Sequence, residues 1–165
     1  MESKKAYKLN NKQIDSLSIW MKRFPSNNKE SAIIYALHLI QNETKYLKDE
    51  HIEAVANYLE VENIDVYENA SFYSMFELQE IGKHTISVCT NVSCMLNGSD
   101  KILSYIENKL GIKVGQSTDQ YYLKDERECL AACCGSPVMQ VDHKYYEDLT
   151  EEKIDNIFRS LDNEE

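Results

Sequence analysis

No apolar run in this 165-residue sequence approaches the roughly 20 residues that a membrane-spanning helix requires. Positive charge is also short. The 18 Lys and Arg stand against 28 Asp and Glu, for a formal net charge of −10. Phosphate contacts need clustered Lys and Arg, so nucleic acid is excluded as a partner class. An acidic surface mainly serves solubility, with electrostatic docking on a basic partner as the second use. The opening segment MESKKAYKLNNKQ lacks an apolar stretch and lacks arginine. Neither a secretory nor a transit peptide is therefore expected, and the chain is expected in the cytoplasm without direct membrane insertion. A CxxC pair is missing, which removes a thioredoxin-type dithiol. Internal repeats and low-complexity segments are absent too.

Hydrophobic content of 42% and charged content of 28% are ordinary for a globular protein. The length is enough for a real core. Residues 1–80 read as a helical bundle without cysteine. Ile14, Leu17, Trp20, Met21 and Phe24 recur at helical spacing until Pro25 closes the segment. Asn27 with Glu30 resembles a capping box for a helix burying Ile33, Ile34, Leu37 and Ile40. Asp49 is the expected N-cap of a third helix, with Ile52, Val55, Ala56 and Leu59 inward. Ile64, Val66, Tyr67 and Ala70 suggest a fourth, running into the aromatic segment SFYSMF.

Residues 81–165 read differently. His84–Val88 alternates like a strand and ends at Cys89. Ser99 or Asp100 would cap a helix stopped by Gly111. Tyr121–Leu123 reads as a short strand, and Val138–Val141 with Lys144–Tyr146 as a hairpin about Asp142 and His143. Thr150 would cap a last helix with Ile154, Ile157, Phe158 and Leu161 on one face. The expected class is α/β with a mixed sheet.

Five cysteines without a visible signal peptide point to a reducing compartment, where disulfide frameworks are rare and metal or redox use leads. Cys89 and Cys94 are separated by four residues, Cys129 and Cys133 by three. Both pairs lie in loop-like segments, CTNVSCMLNGS and ECLAACCGSP. Four thiolates from two turns suit a [2Fe–2S] cluster, two sulfurs for each iron. Structural zinc usually takes tighter CxxC knuckles, yet spacing alone leaves zinc and simple structural thiols open. Ala131, Ala132, Gly135, Ser136 and Gly98 are small enough to let backbone N–H groups approach the sulfurs. Cys134 is expected to be a packing residue.

The segments YALHLIQNETKYL, VANYLEV, VYENASFYSMF, GKHTISVCTNVSCMLNGSDKIL, ECLAACCGSPVMQV and YYEDLTEEKI resemble one family in order and spacing. That family is the [2Fe–2S] E-type subunit of NADH–quinone oxidoreductase, respiratory complex I. The likeness runs from about Pro25 to Phe158. It implies a thioredoxin-like ferredoxin domain behind an N-terminal helical bundle, with cluster ligands falling on Cys89, Cys94, Cys129 and Cys133. It further implies a one-electron carrier with no complete active site of its own, paired with a flavin subunit that holds FMN and NADH. Other peripheral-arm subunits would hold the pair at the cytoplasmic side of the inner membrane. Two further readings stand beside it: the same subunit in a soluble hydrogenase or formate dehydrogenase diaphorase module, and a non-redox zinc assembly module. The family favours glycine where Ala131 stands, and alanine fits there only if its φ is negative.

Overall fold

Apolar residues at helical spacing build the first half of the chain. The computed structural model describes residues 7–126 and 128–163. It divides into two units, Met1–Glu80 and Ile81–Glu165.

In the first unit, α1 (Asn11–Met21) is followed by a 3-10 turn (Lys29–Ala32), α2 (Ile33–Thr44), α3 (Asp49–Leu59) and α4 (Asn63–Phe72). A reciprocal capping box starts α1. The Asn10 side chain accepts from the Gln13 N–H, and the Gln13 side chain accepts from the Asn10 N–H, both at 2.9 Å. Buried Gln13 also donates to Glu43 at 3.1 Å, so its amide is satisfied inside the bundle.

The capping box expected at Asn27 and Glu30 does not form. Asn28 precedes the 3-10 turn without a side-chain cap, and α2 continues from that turn. Lys48 is the N-cap of α3, while Asp49 and Glu50 occupy its first turn. Carboxylates there still complement the free N–H groups. The core is aliphatic, with Leu17, Ala36, Leu37, Ile40, Val55 and Leu59 fully buried. Trp20 stacks on Tyr35 at 4.4 Å. The SFYSMF segment splits: Phe76 is buried in this core with Tyr73 against it, whereas Phe72 is 81% exposed.

The second unit runs β1 (His84–Val88), α5 (Val92–Leu96), α6 (Ser99–Leu110), β2 (Tyr121–Lys124), a 3-10 turn (Cys133–Gly135), β3 (Met139–Val141), β4 (Lys144–Tyr146) and α7 (Glu151–Asp162). The sheet order is β2-β1-β3-β4. β1 and β2 are parallel, with His84 opposite Tyr121. A parallel pair needs a crossover, which α5 and α6 provide. β1 with β3 and β3 with β4 are antiparallel. Ile86, Leu123, Met139, Ile106, Ile154 and Phe158 form the core between sheet and helices.

Local chemistry sets the boundaries. Gly111 ends α6 at φ +68°, a left-handed position that suits glycine. The Thr150 hydroxyl accepts from the Lys153 N–H at 3.2 Å and opens α7. The N-cap of α6 is Gly98 instead of Ser99 or Asp100. The β3–β4 turn places Asp142 and His143 at φ +49° and +68°, the backbone of a tight hairpin. Asp142 offsets that cost through its side chain, accepting from the Thr85 N–H at 2.9 Å and pairing with His84 Nδ1 at 2.6 Å.

Candidate metal centre

β1 delivers Cys89 at its C-terminal end, and α5 turns the chain so that Cys94 comes back toward it. Asn91 starts this helix, its side chain accepting from the Val92 N–H at 2.9 Å. The Met95 N–H then bonds the Asn91 carbonyl at 2.8 Å, closing one helical turn between the two cysteines. The second pair lies on the loop before β3, which the Cys89 N–H ties to Val138 O at 3.0 Å. Tyr145 from β4 donates its hydroxyl to Leu130 O at 2.8 Å and holds that loop from outside. Gly135 lies against Glu147: a Cβ there would fall 2.5 Å from the carboxylate, so the approach requires glycine. The Ser136–Pro137 peptide is cis.

This construction brings the two cysteine loops together. Cys129 Sγ and Cys133 Sγ are 3.5 Å apart. Two sulfurs of one tetrahedral metal with bonds near 2.3 Å are about 3.8 Å apart, so this pair already has the right span. Leu130 and Ala132 of the second loop pack against the buried Cys89 and Cys94 of the first, so the two loops meet. All five thiols are free. Cys89 and Cys94 are buried in a small apolar cluster with Val138, flanked by Leu130 and Ala132, while Cys129, Cys133 and Cys134 are exposed.

The electrostatics move the thiols in opposite directions. Burial opposes ionisation of Cys89, but N–H groups of Leu130 and Asn91 and the neighbouring thiols outweigh it, and its pKa falls below the usual thiol value. Burial pushes the Cys94 thiol up, helped by its hydrogen bond to Cys89. The hydrogen bond to Cys129 holds the Cys133 thiol above its ordinary value.

The condition for an unstrained alanine is not met at Ala131. Its φ is +60°, in the left-handed region, and not negative. That turn aims the Ala131 N–H at Cys129 Sγ, 3.4 Å away. The strained backbone therefore places an amide donor on sulfur, as a negatively charged centre needs.

The donor set fits a [2Fe–2S] group: four soft thiolates, backbone amides directed at sulfur, and two loops of unequal burial. Among the described residues, no three His, Cys, Asp or Glu side chains converge as a site for one ion. A binuclear centre requires two sulfurs at each iron and not four about one point. Sequence reasoning did not find α5, nor the hydroxyls of Ser93 and Ser136 between the loops, 3.0 Å apart. In the sequence Ser136 stands out only for its size.

The model of the thioredoxin-like [2Fe-2S] ferredoxin family matches residues 17–162. The E-type subunit of NADH-quinone oxidoreductase from Rickettsia felis is 45% identical over 146 residues, 87% of either chain. A second such E-type subunit, from Rhizobium meliloti, is 40% identical over 140 residues, 84% of this chain and 82% of that one. Among solved structures, NAD+-reducing [NiFe]-hydrogenase in the air-oxidized state superposes with a TM-score of 0.71 at 15% identity. That match covers 85% of this chain but only 24% of the hydrogenase chain, and it shows the fold alone. A mixed sheet carrying paired cysteine loops, a family match along nearly the whole chain and relatives of similar length lead to one assignment: the chain belongs to the thioredoxin-like [2Fe-2S] ferredoxin family, among the E-type subunits of NADH-quinone oxidoreductase.

Proposed function

We propose that this chain is the one-electron carrier subunit of an NADH–quinone oxidoreductase, with Cys89, Cys94, Cys129 and Cys133 holding one [2Fe–2S] cluster. When bound, the cluster accepts and releases a single electron. The carrying observation is the close approach of free Cys129 and Cys133 on a loop that packs against buried Cys89 and Cys94. Four thiolates would leave no open coordination position for substrate, so the chain is an oxidoreductase subunit without a complete active site. FMN and NADH belong to the partner flavin subunit in this reading.

The chain's own residues prepare the exchange. Buried Cys89 and Cys94 anchor the site against Val138, and exposed Cys129 and Cys133 bring it to the surface. Beside them, Val92, Met95 and Leu96 on α5 are 64%, 47% and 77% exposed. Such an apolar patch next to the sulfurs suits a partner that must approach closely. Among the described residues no helix is long and apolar enough to cross a membrane. The reading places the chain at the cytoplasmic side of the membrane, attached through the flavin subunit and its neighbours. The likeness to the hydrogenase supports a second reading, the same role in a soluble NAD-linked module.

The test is anaerobic purification of the full chain with its flavoprotein partner, followed by iron and sulfide analysis and EPR. The reading requires equal iron and acid-labile sulfide and a signal that appears on reduction. A colourless chain with one zinc per molecule would replace it with the assembly-module reading.

A further inference from the structure

Leu130 follows Cys129, and its carbonyl and the Ala131 N–H belong to one trans peptide. Such a unit is planar, so its C=O and N–H point in opposite directions. Both ends of this one are engaged. The Tyr145 hydroxyl donates to the Leu130 oxygen at 2.8 Å, and the Ala131 N–H donates to Cys129 Sγ at 3.4 Å. A tyrosine on β4 thus sets, through a single rigid plane, which way an amide faces a sulfur.

That orientation is not the one Ala131 would take by itself. Its φ of +60° crowds Cβ against the carbonyl oxygen that follows, a conformation L-residues avoid. A half-turn of the Leu130–Ala131 peptide would carry φ to a negative value and relieve the crowding. It would also swing the N–H away from Cys129 and leave the Leu130 oxygen in its place. The Tyr145 hydrogen bond opposes that half-turn, because it breaks once the carbonyl leaves.

Tyr145 is anchored well enough to resist. It pairs in register with Gln140 of β3, and its neighbour Tyr146 packs against the sheet core. The segment it belongs to grips the same loop further along. The Asp148 N–H donates to Gly135 O at 2.6 Å, and the Leu149 N–H to Pro137 O at 3.0 Å. Of these three donors, Tyr145 alone acts on the peptide beside Cys129.

We propose that Tyr145 is a positioning residue: by holding the Leu130 carbonyl, its hydroxyl keeps the Ala131 N–H on Cys129 and raises the reduction potential of the metal centre. The inference rests on Cys89, Cys94, Cys129 and Cys133 being the cluster ligands. One-electron reduction adds one negative charge, and an N–H directed at a ligand sulfur favours the reduced state.

The test is a redox titration, followed by EPR, of the full-length chain carrying its cluster, for wild type, Tyr145→Phe, Ala131→Gly and the double variant. Iron and sulfide per chain are measured first for each. Tyr145 is 46% exposed, so phenylalanine opens no core cavity and removes the hydroxyl alone. Tyr145→Phe is expected to keep its cluster and to be about tenfold harder to reduce, a downward shift of about 59 mV for one electron. Glycine holds a positive φ without crowding. In the Ala131→Gly background the same hydroxyl loss should therefore act less than about threefold, a shift under ~28 mV.

A fully loaded Tyr145→Phe chain at the wild-type potential, or above it, overturns the inference and leaves the ligand assignment standing. An equal shift in both backgrounds overturns it too, since the hydroxyl would then act without turning the peptide. A wild-type chain that binds no iron and sulfide overturns the ligand assignment and this inference with it. Where Tyr145→Phe fails to assemble, NMR of the metal-free full chain decides, from the coupling between the Ala131 N–H and Hα. A φ that is positive in wild type and negative in the variant supports the inference, and the same φ in both ends it.

Discussion

The two units of this chain solve the problem of holding side chains in place by different means. The helical unit does it by burial: Leu17, Leu37, Ile40 and Leu59 are sealed in an aliphatic core, and its polar caps lie at the margins. The sheet unit does the same beneath β1 and β3, but at its cysteine end the apolar cluster shrinks to Cys89, Cys94 and Val138, with Leu130 and Ala132 alongside. There the work passes to hydrogen bonds, from Tyr145 to Leu130, between Ser93 and Ser136, and from Ala131 to Cys129. A core of hydrocarbon tolerates no anion, whereas a shell of donors welcomes one. The comparison explains how an acidic chain can present a negatively charged centre.

The sharpest way to break this comparison is to remove sulfur. Cys89→Ala or Cys129→Ala is expected to abolish the cluster, with iron content and EPR signal lost, while Cys134→Ala keeps both. Retention in the Cys129 variant together with loss in the Cys134 variant would reassign the second pair. Next in size, Leu37→Ala opens a void in the helical core and should cost about 2–5 kcal/mol in denaturant unfolding. Its iron content below the transition should match wild type; a parallel loss of cluster would mean that the helical core also sets the cysteine loops.

A smaller effect concerns pH. Burial holds the imidazole of His51 below its ordinary value of 6.5. The fit agrees, since Nδ1 accepts the Lys48 N–H at 3.1 Å and the ring packs edge-on to Tyr7 at 4.5 Å. The unfolded chain therefore takes the proton first on acidification. Stability present above 6.5 is lost as pH falls through that value toward the folded-state pKa. Urea midpoints at about pH 7.5 and about pH 5.5 should differ more for wild type than for His51→Gln. Equal differences would show that His51 does not drive the acid limb.

The smallest change is Ala131→Gly. The left-handed backbone costs an L-residue about 1–2 kcal/mol, and glycine's added freedom in the unfolded chain offsets about 0.5–1 of it. A gain of about 0–1.5 kcal/mol in the metal-free chain is expected, read as a raised denaturant midpoint at constant slope. A lowered midpoint would refute the strain argument.

Long periodic elements were open to reading in the sequence because burial repeats along them. The spacing of Ile154, Ile157, Phe158 and Leu161 marks α7, and alternation marks β1. Caps shifted by a residue or more where several polar side chains compete, as at Asn27–Asn28 and Lys48–Asp49. Helix α5 escaped because five residues make little more than one turn, and Cys94 is its only buried side chain. The paired cysteines announced a metal, but the positive φ of Ala131 and the meeting of Ser93 with Ser136 depend on how the loops close. No local spacing encodes either.

Unequal burial of the sulfurs gives the site a direction of wear. Cys89 and Cys94 sit behind protein, whereas Cys129 and Cys133 face the solvent in the free chain. Peroxide or dissolved oxygen meets the outer two first, so corrosion to sulfenic acid should begin on the loop nearest Tyr145. A chain that waits for its partner in air would fail from that side, and mass spectrometry of aged samples should find the added oxygen there.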